Sequence, residues 1–355
     1  MNNNITAKMI PELPPSGYTV LLHILNATLR LEYWPSTYKL ARVIMIPKPD
    51  KTPTDITSYR PISLLPVISK ILERILLRRI NADVQEWIPE HQFGFCKAHT
   101  TIQQCHRLAN NINHALEARE FCTAVFLDIS QAFDKVWHPG LLLKLITLPP
   151  SYHNIFKSYL LHRKLRVAYN SALSAPIQMK SGVPQGSVLG PFLYALYTAD
   201  FPQQNTTVLS TFADDTAILS RHMHITEAIS NLQTHLLRIE EWSNKWRMQI
   251  NESKSKHATF TLRKGNIPHL YFNQQPLPQA DTVKYLGLHF DRRLNWKHHI
   301  TQTRKHLNHK TEVYIGSLGS THRSPCEIKP LFTKRSYAQY GHMVSNCGVV
   351  PPHLT

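Results

Sequence analysis

Three aspartates are unusual because each lies inside an apolar stretch. Asp128 is the only charged residue in TAVFLDIS (residues 123–130), and Asp214 and Asp215 are adjacent in TVLSTFADDTAILS (residues 207–220). Neighbouring carboxylates in apolar surroundings repel each other and lose hydration. A bound divalent cation relieves both penalties, and carboxylates without nearby His or Cys suit hard ions such as Mg²⁺.

Two chemical interpretations of these carboxylates follow. Three such groups can hold two metal ions about 3.5–4 Å apart, the arrangement used for in-line phosphoryl transfer. In that arrangement one ion lowers the pKa of the attacking hydroxyl and the other stabilises the leaving phosphate. The alternative is structural, because an aspartate at a tight turn often accepts hydrogen bonds from local backbone amides. The spacing favours metal binding.

The predicted elements around the aspartates indicate how they meet. A strand over 123–130 is followed by a buried helix over 188–200, two strands within 207–220, a long helix over 226–247 and a strand over 255–262. This order is that of a ferredoxin-type split β-α-β unit. Because the hairpin strands can pair beside the first strand, we expect Asp128 to lie near Asp214. The expected fold class is α+β.

The first third of the chain alternates helices and a strand. The pattern predicts a helix over 18–32, a strand over 41–46 that ends at Pro47, a basic loop to Tyr59, and a helix over 66–81. Apolar residues fall on one face of this second helix and basic residues on the other: Ile68, Ile71, Leu72, Ile75 and Ile80 against Lys70, Arg74, Arg78 and Arg79. Residues 139–161 are predicted to be helical in parts.

The charge of the chain indicates a polyanionic partner. Its 355 residues include 40 Lys and Arg against 23 Asp and Glu, a net charge of +17. Such a chain is attracted to nucleic acid, although ribosomal, mitochondrial and membrane-surface proteins share this composition. No stretch approaches the ~20 apolar residues of a membrane span. Among the 21 histidines, pairs such as His298–His299 and His222/His224 lack partners at metal-ligand spacing. The histidines are therefore interpreted as solvated surface.

Several segments resemble the motifs of a known enzyme family. Residues 122–145 (CTAVFLDISQAFDKVWHPGLLLKL), 181–191 (SGVPQGSVLGP) and 211–219 (TFADDTAIL) resemble motifs A, B and C of reverse transcriptases, above all those of jockey-like, LINE-type non-LTR retrotransposons. Further segments resemble the finger motifs, motif D and the primer grip: 58–65 (SYRPISLL), 91–95 (HQFGF), 250–256 (INESKSK) and 284–290 (KYLGLHF). The resemblance implies a right-hand polymerase fold, with fingers, a ferredoxin-like palm with an antiparallel sheet, and a partial helical thumb.

The resemblance also implies a role for each carboxylate. Asp128 and Asp214 would bridge two Mg²⁺ ions, with Mn²⁺ as an alternative, and Asp215 would assist. The carbonyl of Ile129 would bind the ion that carries the nucleotide. These four residues form the implied metal site.

Other positions are implied to contact the incoming dNTP. Phe133 falls where the family places an aromatic ring that blocks a ribose 2′-OH, although a plain core aromatic is the alternative. Gln185 and Gly186 would lie along the nucleotide. Arg60 and Lys48 would bind the triphosphate, Arg60 through its bidentate fork and Lys48 as a point charge.

Two more groups complete the implied site. Lys254 is the implied general acid for the departing pyrophosphate, and Lys256, two residues further on the same side of a predicted strand, is the other candidate. Tyr285, Leu286 and Gly287 would hold the end of the primer.

The predicted domains are a pre-finger helical extension (1–35), a reverse transcriptase domain (36–290) and a partial thumb (291–355). The helical periodicity of the thumb is interrupted by Gly316, Gly319, Ser320 and Pro325. The implied function is RNA-directed DNA polymerisation on an RNA template and DNA primer, by a nuclear or cytoplasmic protein. The endonuclease and cysteine-rich tail of such elements are not found in the sequence. Two alternatives stay open: an inactive remnant that only binds nucleic acid, and a viral RNA-dependent RNA polymerase, against which Phe-Ala-Asp-Asp and Phe133 argue.

Overall fold

The structure, a computed structural model, describes residues 5–48, 52, 54–55, 58–84, 87–96 and 98–317. The chain folds into two compact units and passes between them several times. The first unit takes the segments Met1–Phe95, Ile129–Phe201 and Glu241–Gln249, and the second takes Cys96–Asp128, Pro202–Glu240 and Ile250–Thr355.

Helices and strands alternate along the described chain. The helices are α1 (Pro15–Arg30), α2 (Val67–Val84), α3 (Thr101–Glu117), α4 (His138–Lys144), α5 (Pro150–Leu160), α6 (Leu189–Tyr197), α7 (Ile225–Trp246) and α8 (Lys297–Ser317). The strands are β1 (Leu40–Pro47), β2 (Tyr59–Leu64), β3 (Phe121–Asp128), β4 (Lys164–Tyr169), β5 (Ala172–Leu173), β6 (Ile177–Gln178), β7 (Val208–Phe212), β8 (Asp215–His222), β9 (Lys256–Phe260), β10 (Tyr271–Phe272), β11 (Gln275–Pro276), β12 (Thr282–Tyr285) and β13 (Leu288–Asp291).

The first unit contains a five-stranded sheet in the order β2-β1-β4-β5, with β6 also paired to β4. β1 pairs antiparallel with β2 and parallel with β4. The strand predicted over 41–46 is confirmed, and it ends at Pro47, which has no N–H to donate to a longer ladder. The parallel pairing with β4 was not predicted.

The predicted helices of the first unit are also confirmed. In α2, Leu72 and Ile80 have no exposed surface, whereas Arg78 and Arg79 on the other face are exposed. α4 and α5 account for the partly helical stretch, and α6 is buried along almost its whole length. Burial of apolar side chains against the unit holds α2, α5 and α6 in place.

The second unit contains an antiparallel sheet in the order β7-β8-β3-β9. Counted along the chain, this order is second, third, first and fourth, which is the order of the ferredoxin-type split β-α-β unit. The α+β fold class predicted from the sequence is confirmed. α7 is confirmed as well, with the predicted apolar face buried: Ile229, Leu232, Leu236, Ile239, Trp242 and Trp246.

One helix of the second unit was missed from the sequence. Leu108 and Ile112 of α3 belong to the same buried cluster as Phe126 of the sheet. The N-terminus of α3 carries a capping box: the Gln103 N–H donates to Thr100 Oγ1 at 3.2 Å, and the Thr100 N–H donates to Gln103 Oε1 at 2.8 Å. This Thr-x-x-Gln signature, followed by apolar residues every three or four positions, could have revealed the helix.

β12 and β13 form a hairpin at the edge of this cluster. Leu286 and Gly287 make its two-residue turn, with φ angles of +46° and +89°. Positive φ at both positions is the geometry of a type I′ turn, whose twist matches that of the flanking strands.

Helix α8 contradicts the prediction that Gly316 interrupts the helical structure of the C-terminal segment. α8 runs through Gly316 to Ser317, so this glycine does not interrupt the helix. Residues 318–355, which include Gly319, Ser320 and Pro325, lie outside the described residues. The domain boundaries at residues 35 and 290 stay predictions.

The histidines are not all solvated, and that interpretation of the sequence is wrong. His235 and His257 have no exposed surface, and His138 and His299 are less than a tenth exposed. Burial disfavours the charged imidazolium and lowers the pKa of all four. The remark on His298–His299 was right only for His298, which is exposed.

His257 of β9 makes the stability of the second unit depend on pH. Neither of its ring nitrogens has a hydrogen-bond partner among the described residues. Burial, together with the nearby His269, lowers the pKa of His257 from 6.5 to about 4. As the pH falls, the unfolded chain therefore binds the proton before the folded chain does. The free energy of unfolding should decrease below pH 6.5 and down to pH 4, by at most about 1.4 kcal/mol per pH unit.

A His257→Leu variant tests this pH dependence. Leucine fills a similar volume and does not titrate, so the loss of stability between pH 7 and pH 5 should be smaller in the variant than in the parent. Urea unfolding at the two pH values measures the difference. His224→Gln, at an exposed histidine, serves as the control that should retain the parental pH dependence. Equal losses in the parent and in His257→Leu would contradict the prediction.

Candidate active site

The register of the second-unit sheet brings two of the three aspartates face to face. β3 ends at Asp128 and β8 begins at Asp215, and these two residues are Cα partners in the antiparallel ladder. Asp214 lies in the turn between β7 and β8, next to Ala213, whose φ is +58°. The predicted proximity of the carboxylates is confirmed. Because β8 rather than β7 lies beside β3, the direct partner of Asp128 is Asp215.

The other two aspartates act electrostatically on Asp215. Loss of hydration, together with the negative charges of Asp214 and Asp128, raises the pKa of Asp215 to about 6. Part of the Asp215 surface nevertheless remains accessible to solvent. A cation bound here would therefore be stabilised by all three charges and reached from solvent.

The donor set fits a hard divalent cation. Carboxylate oxygens are the ligands that Mg²⁺ prefers, and the mutual repulsion of the three is what such an ion would relieve. In the described part of the chain, no group of three or more His, Cys, Asp or Glu side chains is placed so that it could hold a metal ion as it stands. The fit therefore rests on the chemistry of the carboxylates and on their shared position. Ile129, which follows Asp128 directly, is buried.

Two buried polar side chains support the β7 strand. Gln104 Nε2 of α3 donates to the Thr211 carbonyl at 3.0 Å, and the Tyr285 hydroxyl donates to the Ser210 carbonyl at 3.1 Å. Gln104 was missed from the sequence, since a glutamine inside a helix carries no signal of its contact. The Tyr285 side chain is only 3% exposed.

The segment between α7 and β9 holds the end of β3. The Asp128 N–H donates to Ser255 Oγ at 3.0 Å, and the Asn251 N–H donates to the Asp128 carbonyl at 2.8 Å. Lys254 is exposed in the turn that Asn251 begins, and Lys256 is the exposed first residue of β9. The expectation that the two lysines share one side of a strand is therefore wrong, because the strand starts only at Lys256.

Phe133 lies in the first unit between two other rings. It stacks on Tyr194 of α6 with ring centroids 4.7 Å apart, and Phe95 meets it edge-on at 5.9 Å. The ring is half-buried, so it is both packed and partly open to solvent. Its backbone carbonyl accepts a hydrogen bond from the Val183 N–H at 2.8 Å, which ties it to the segment before Gln185.

In the turn that contains Gln185 and Gly186, position 186 accommodates only glycine. Gly186 has φ of +113°, and a Cβ there would lie 2.7 Å from the Ser63 carbonyl oxygen. The Ser63 N–H in turn donates to the Gln185 carbonyl at 2.7 Å. The turn is therefore seated on β2, with the Gln185 side chain half-buried.

The two basic residues predicted to bind the triphosphate also belong to the first unit. Arg60 is exposed on β2, opposite Ile46 of β1. Lys48 follows β1, is half-buried, and donates its backbone N–H to the Ser58 carbonyl at 2.7 Å. Both therefore lie at the end of the β1–β2 ladder.

Among the described residues, no helix is both long enough and apolar enough to cross a bilayer.

Comparison with known proteins identifies relatives of this chain. Residues 46–290 match the family model for reverse transcriptase (RNA-dependent DNA polymerase). The chain is 42% identical over 316 residues to the probable RNA-directed DNA polymerase from transposon X-element of Drosophila melanogaster, which covers 87% of this chain and 35% of that protein. It is 41% identical over 300 residues to the RNA-directed DNA polymerase from mobile element jockey of the same species, covering 81% and 33%. The chain thus spans about a third of the length of these relatives.

Solved structures give a more distant likeness. An apo telomerase from Candida tropicalis, truncated from its C-terminal domain, is 10% identical with a TM-score of 0.49, over 79% of this chain and 60% of that chain. The family match is the decisive comparison, because it covers more than half of the chain and includes Asp128, Asp214 and Asp215. It shows that this chain belongs to the reverse transcriptase family.

Proposed function

We propose that this chain is the polymerase core of a non-LTR retrotransposon reverse transcriptase, which adds dNTPs to the 3′-OH of a DNA primer on an RNA template. The observation that carries the proposal is the sheet register that sets Asp128 opposite Asp215, with Asp214 in the adjoining turn. The identity of 42% to an RNA-directed DNA polymerase from a transposon supports it.

The carboxylates would hold the metal ions of the reaction. Asp128, Asp214, Asp215 and the Ile129 carbonyl would hold two Mg²⁺ ions, with Mn²⁺ as an alternative. When bound, such ions supply Lewis-acid activation of the primer hydroxyl and charge stabilisation at the leaving pyrophosphate. The β3–β8 ladder fixes the carboxylates in place, so little reorganisation is needed. Lys254 Nζ would donate a proton to the pyrophosphate, with Lys256 as the other candidate.

The first unit would bind the incoming nucleotide. Phe133 would exclude a ribose 2′-OH, and Gln185 with Gly186 would contact the sugar or the triphosphate. Arg60 and Lys48 would neutralise phosphate oxygens. A primer contact at Leu286 and Gly287 would hold the 3′ end, through the turn rather than through the buried Tyr285 ring.

The net charge of +17 predicts binding that depends strongly on salt. Neutralising phosphates releases condensed counterions, so a site with six or more phosphate contacts loses on the order of 10³-fold in affinity between 50 and 200 mM salt. Fluorescence anisotropy with a labelled RNA–DNA template–primer measures the change. The same titration with non-ionic osmolyte in place of salt is the control. An affinity that does not change with salt would contradict the prediction.

Primer extension on an RNA template with dNTPs and Mg²⁺ tests the proposed function. Extension establishes a reverse transcriptase. The alternative is a remnant that only binds nucleic acid, which the basic charge also supports; salt-dependent binding of the template–primer without extension would establish it. Extension with NTPs in preference to dNTPs would instead indicate an RNA polymerase. Nuclear or cytoplasmic location stays a prediction.

A further inference from the structure

Glu73 of α2 is a carboxylate with no exposed surface in the first unit. Its Oε2 accepts hydrogen bonds from the backbone N–H groups of Val188 at 2.6 Å and Leu189 at 3.1 Å. Its Oε1 accepts one from Ser69 Oγ at 3.3 Å. Val188 is the N-cap of α6 and Leu189 its first residue. A side chain from a different helix therefore caps the N-terminus of α6.

The surroundings of Glu73 explain why a carboxylate is tolerated there. Burial raises its pKa, while the hydrogen bonds from Leu189 and Val188 and the positive charge of Arg163 act in the opposite direction. Arg163 is itself fully buried, and one guanidinium nitrogen donates to the Tyr159 carbonyl at 3.1 Å. A carboxylate at a helix N-terminus is also favoured by the orientation of the peptide dipoles. An apolar residue would fill the space without the desolvation cost, so the bonds to α6 are what the glutamate adds.

The N-terminus of α6 follows directly on the turn that contains Gln185 and Gly186. Ser187 Oγ donates to the Pro184 carbonyl at 2.8 Å and accepts from the Gly190 N–H at 2.8 Å, which joins this turn to α6. On the other side, the turn is bound to β2 through the Ser63 N–H. Ser63 and Glu73 therefore hold the two sides of one short segment.

We propose that Glu73 is a positioning residue for nucleotide binding, because it fixes the first turn of α6 and thereby keeps the Gln185–Gly186 turn in place on β2. The inference rests on the proposed function, in which this turn contacts the dNTP. Without the carboxylate, the Val188 and Leu189 N–H groups lose their partner and the turn can shift. The effect falls on the binding of the nucleotide rather than on the chemical step.

Glu73→Gln keeps an amide oxygen that can still accept these hydrogen bonds and should stay close to the parent. The variant Glu73→Leu therefore tests this role, since it keeps a similar side-chain size and removes both acceptor oxygens. We expect the KM for dNTP to rise about tenfold, with kcat within about twofold of the parent and the Kd for template–primer unchanged. Thr100→Ala is the matched control, because it removes the N-terminal cap of α3 in the second unit and lowers stability by a similar amount. This control should lower Tm and leave the KM unchanged.

Hydrogen exchange at residues 185–190 provides a readout that does not depend on activity. These amides should exchange faster in Glu73→Leu than in the parent, in Glu73→Gln or in Thr100→Ala. Faster exchange with an unchanged KM would mean that Glu73 only stabilises the helix, and unchanged exchange would mean that it does not hold the turn; either result overturns the proposal. If the parent itself does not extend a primer, the proposed function fails. Hydrogen exchange at Gln185 and Gly186 then tests whether Glu73 positions the turn. Equal exchange rates in the parent and the variant would overturn that role.

Discussion

Replacing Asp214 with asparagine should lower the rate of primer extension by about 10³-fold or more, equivalent to a loss of about 4 kcal/mol of transition-state stabilisation. The amide has nearly the same size as the carboxylate but lacks the charge that would hold a metal ion. Asp214 is exposed in the β7–β8 turn, and its charge contributes to the raised pKa of Asp215. The substitution therefore removes a repulsion, and Tm should stay the same or rise while activity is lost.

Opposite changes in Tm and activity distinguish a metal ligand from a residue that only supports the fold. Single-turnover extension and thermal unfolding, with and without Mg²⁺, measure both. Asp281→Asn is the control, because Asp281 is another exposed aspartate of the second unit and has no part in the proposed site. Extension retained by Asp214→Asn would mean that the metal site has been assigned wrongly.

Replacing Phe133 with valine should let the enzyme incorporate ribonucleotides, with a loss of discrimination on the order of 10²-fold, or about 3 kcal/mol. The ring is held in one orientation by Tyr194 and Phe95, as a steric barrier requires. Valine keeps the apolar character but shortens the side chain, so a 2′-OH would be accommodated. Competition between NTPs and dNTPs in single-nucleotide extension measures the ratio.

A packing defect must be separated from this effect, because truncating an aromatic ring in a packed site also costs stability. Tyr194→Phe keeps the stacked ring beneath Phe133 and removes only a hydroxyl, so this control should retain the parental discrimination. If Phe133→Val loses stability but still rejects ribonucleotides, the ring is a packing residue alone.

The position of the carboxylates could be predicted from the sequence because the information is local. Apolar strands that each carry an aspartate at one end, and a hairpin centred on Ala213 and Asp214, leave few ways to form a sheet. Which aspartate directly faces Asp128 was not predicted, because it depends on which strand of the hairpin pairs with β3. Strand composition does not determine that choice.

Contacts between distant segments could not be predicted. Glu73 is 115 residues from Val188, and Gln104 is 107 residues from Thr211. In each case a polar residue on a partly apolar helix face contacts backbone groups that the sequence gives no means of locating. His257 was misjudged for the same reason, since a lone histidine in a short strand is equally compatible with solvent and core. The apolar periodicity predicts which face is buried, but not which polar group the burial satisfies.

The hairpin turn at Leu286 and Gly287 has a consequence for the cost of association. Type I′ turns favour Asn-Gly, and a leucine at φ of +46° is strained by about 1–2 kcal/mol. Leu286 packs against the buried cluster of the second unit, and this apolar contact offsets the strain. The tip therefore has its shape before any partner arrives. A primer that docked there would find a preorganised surface and would lose little conformational entropy from the protein on binding.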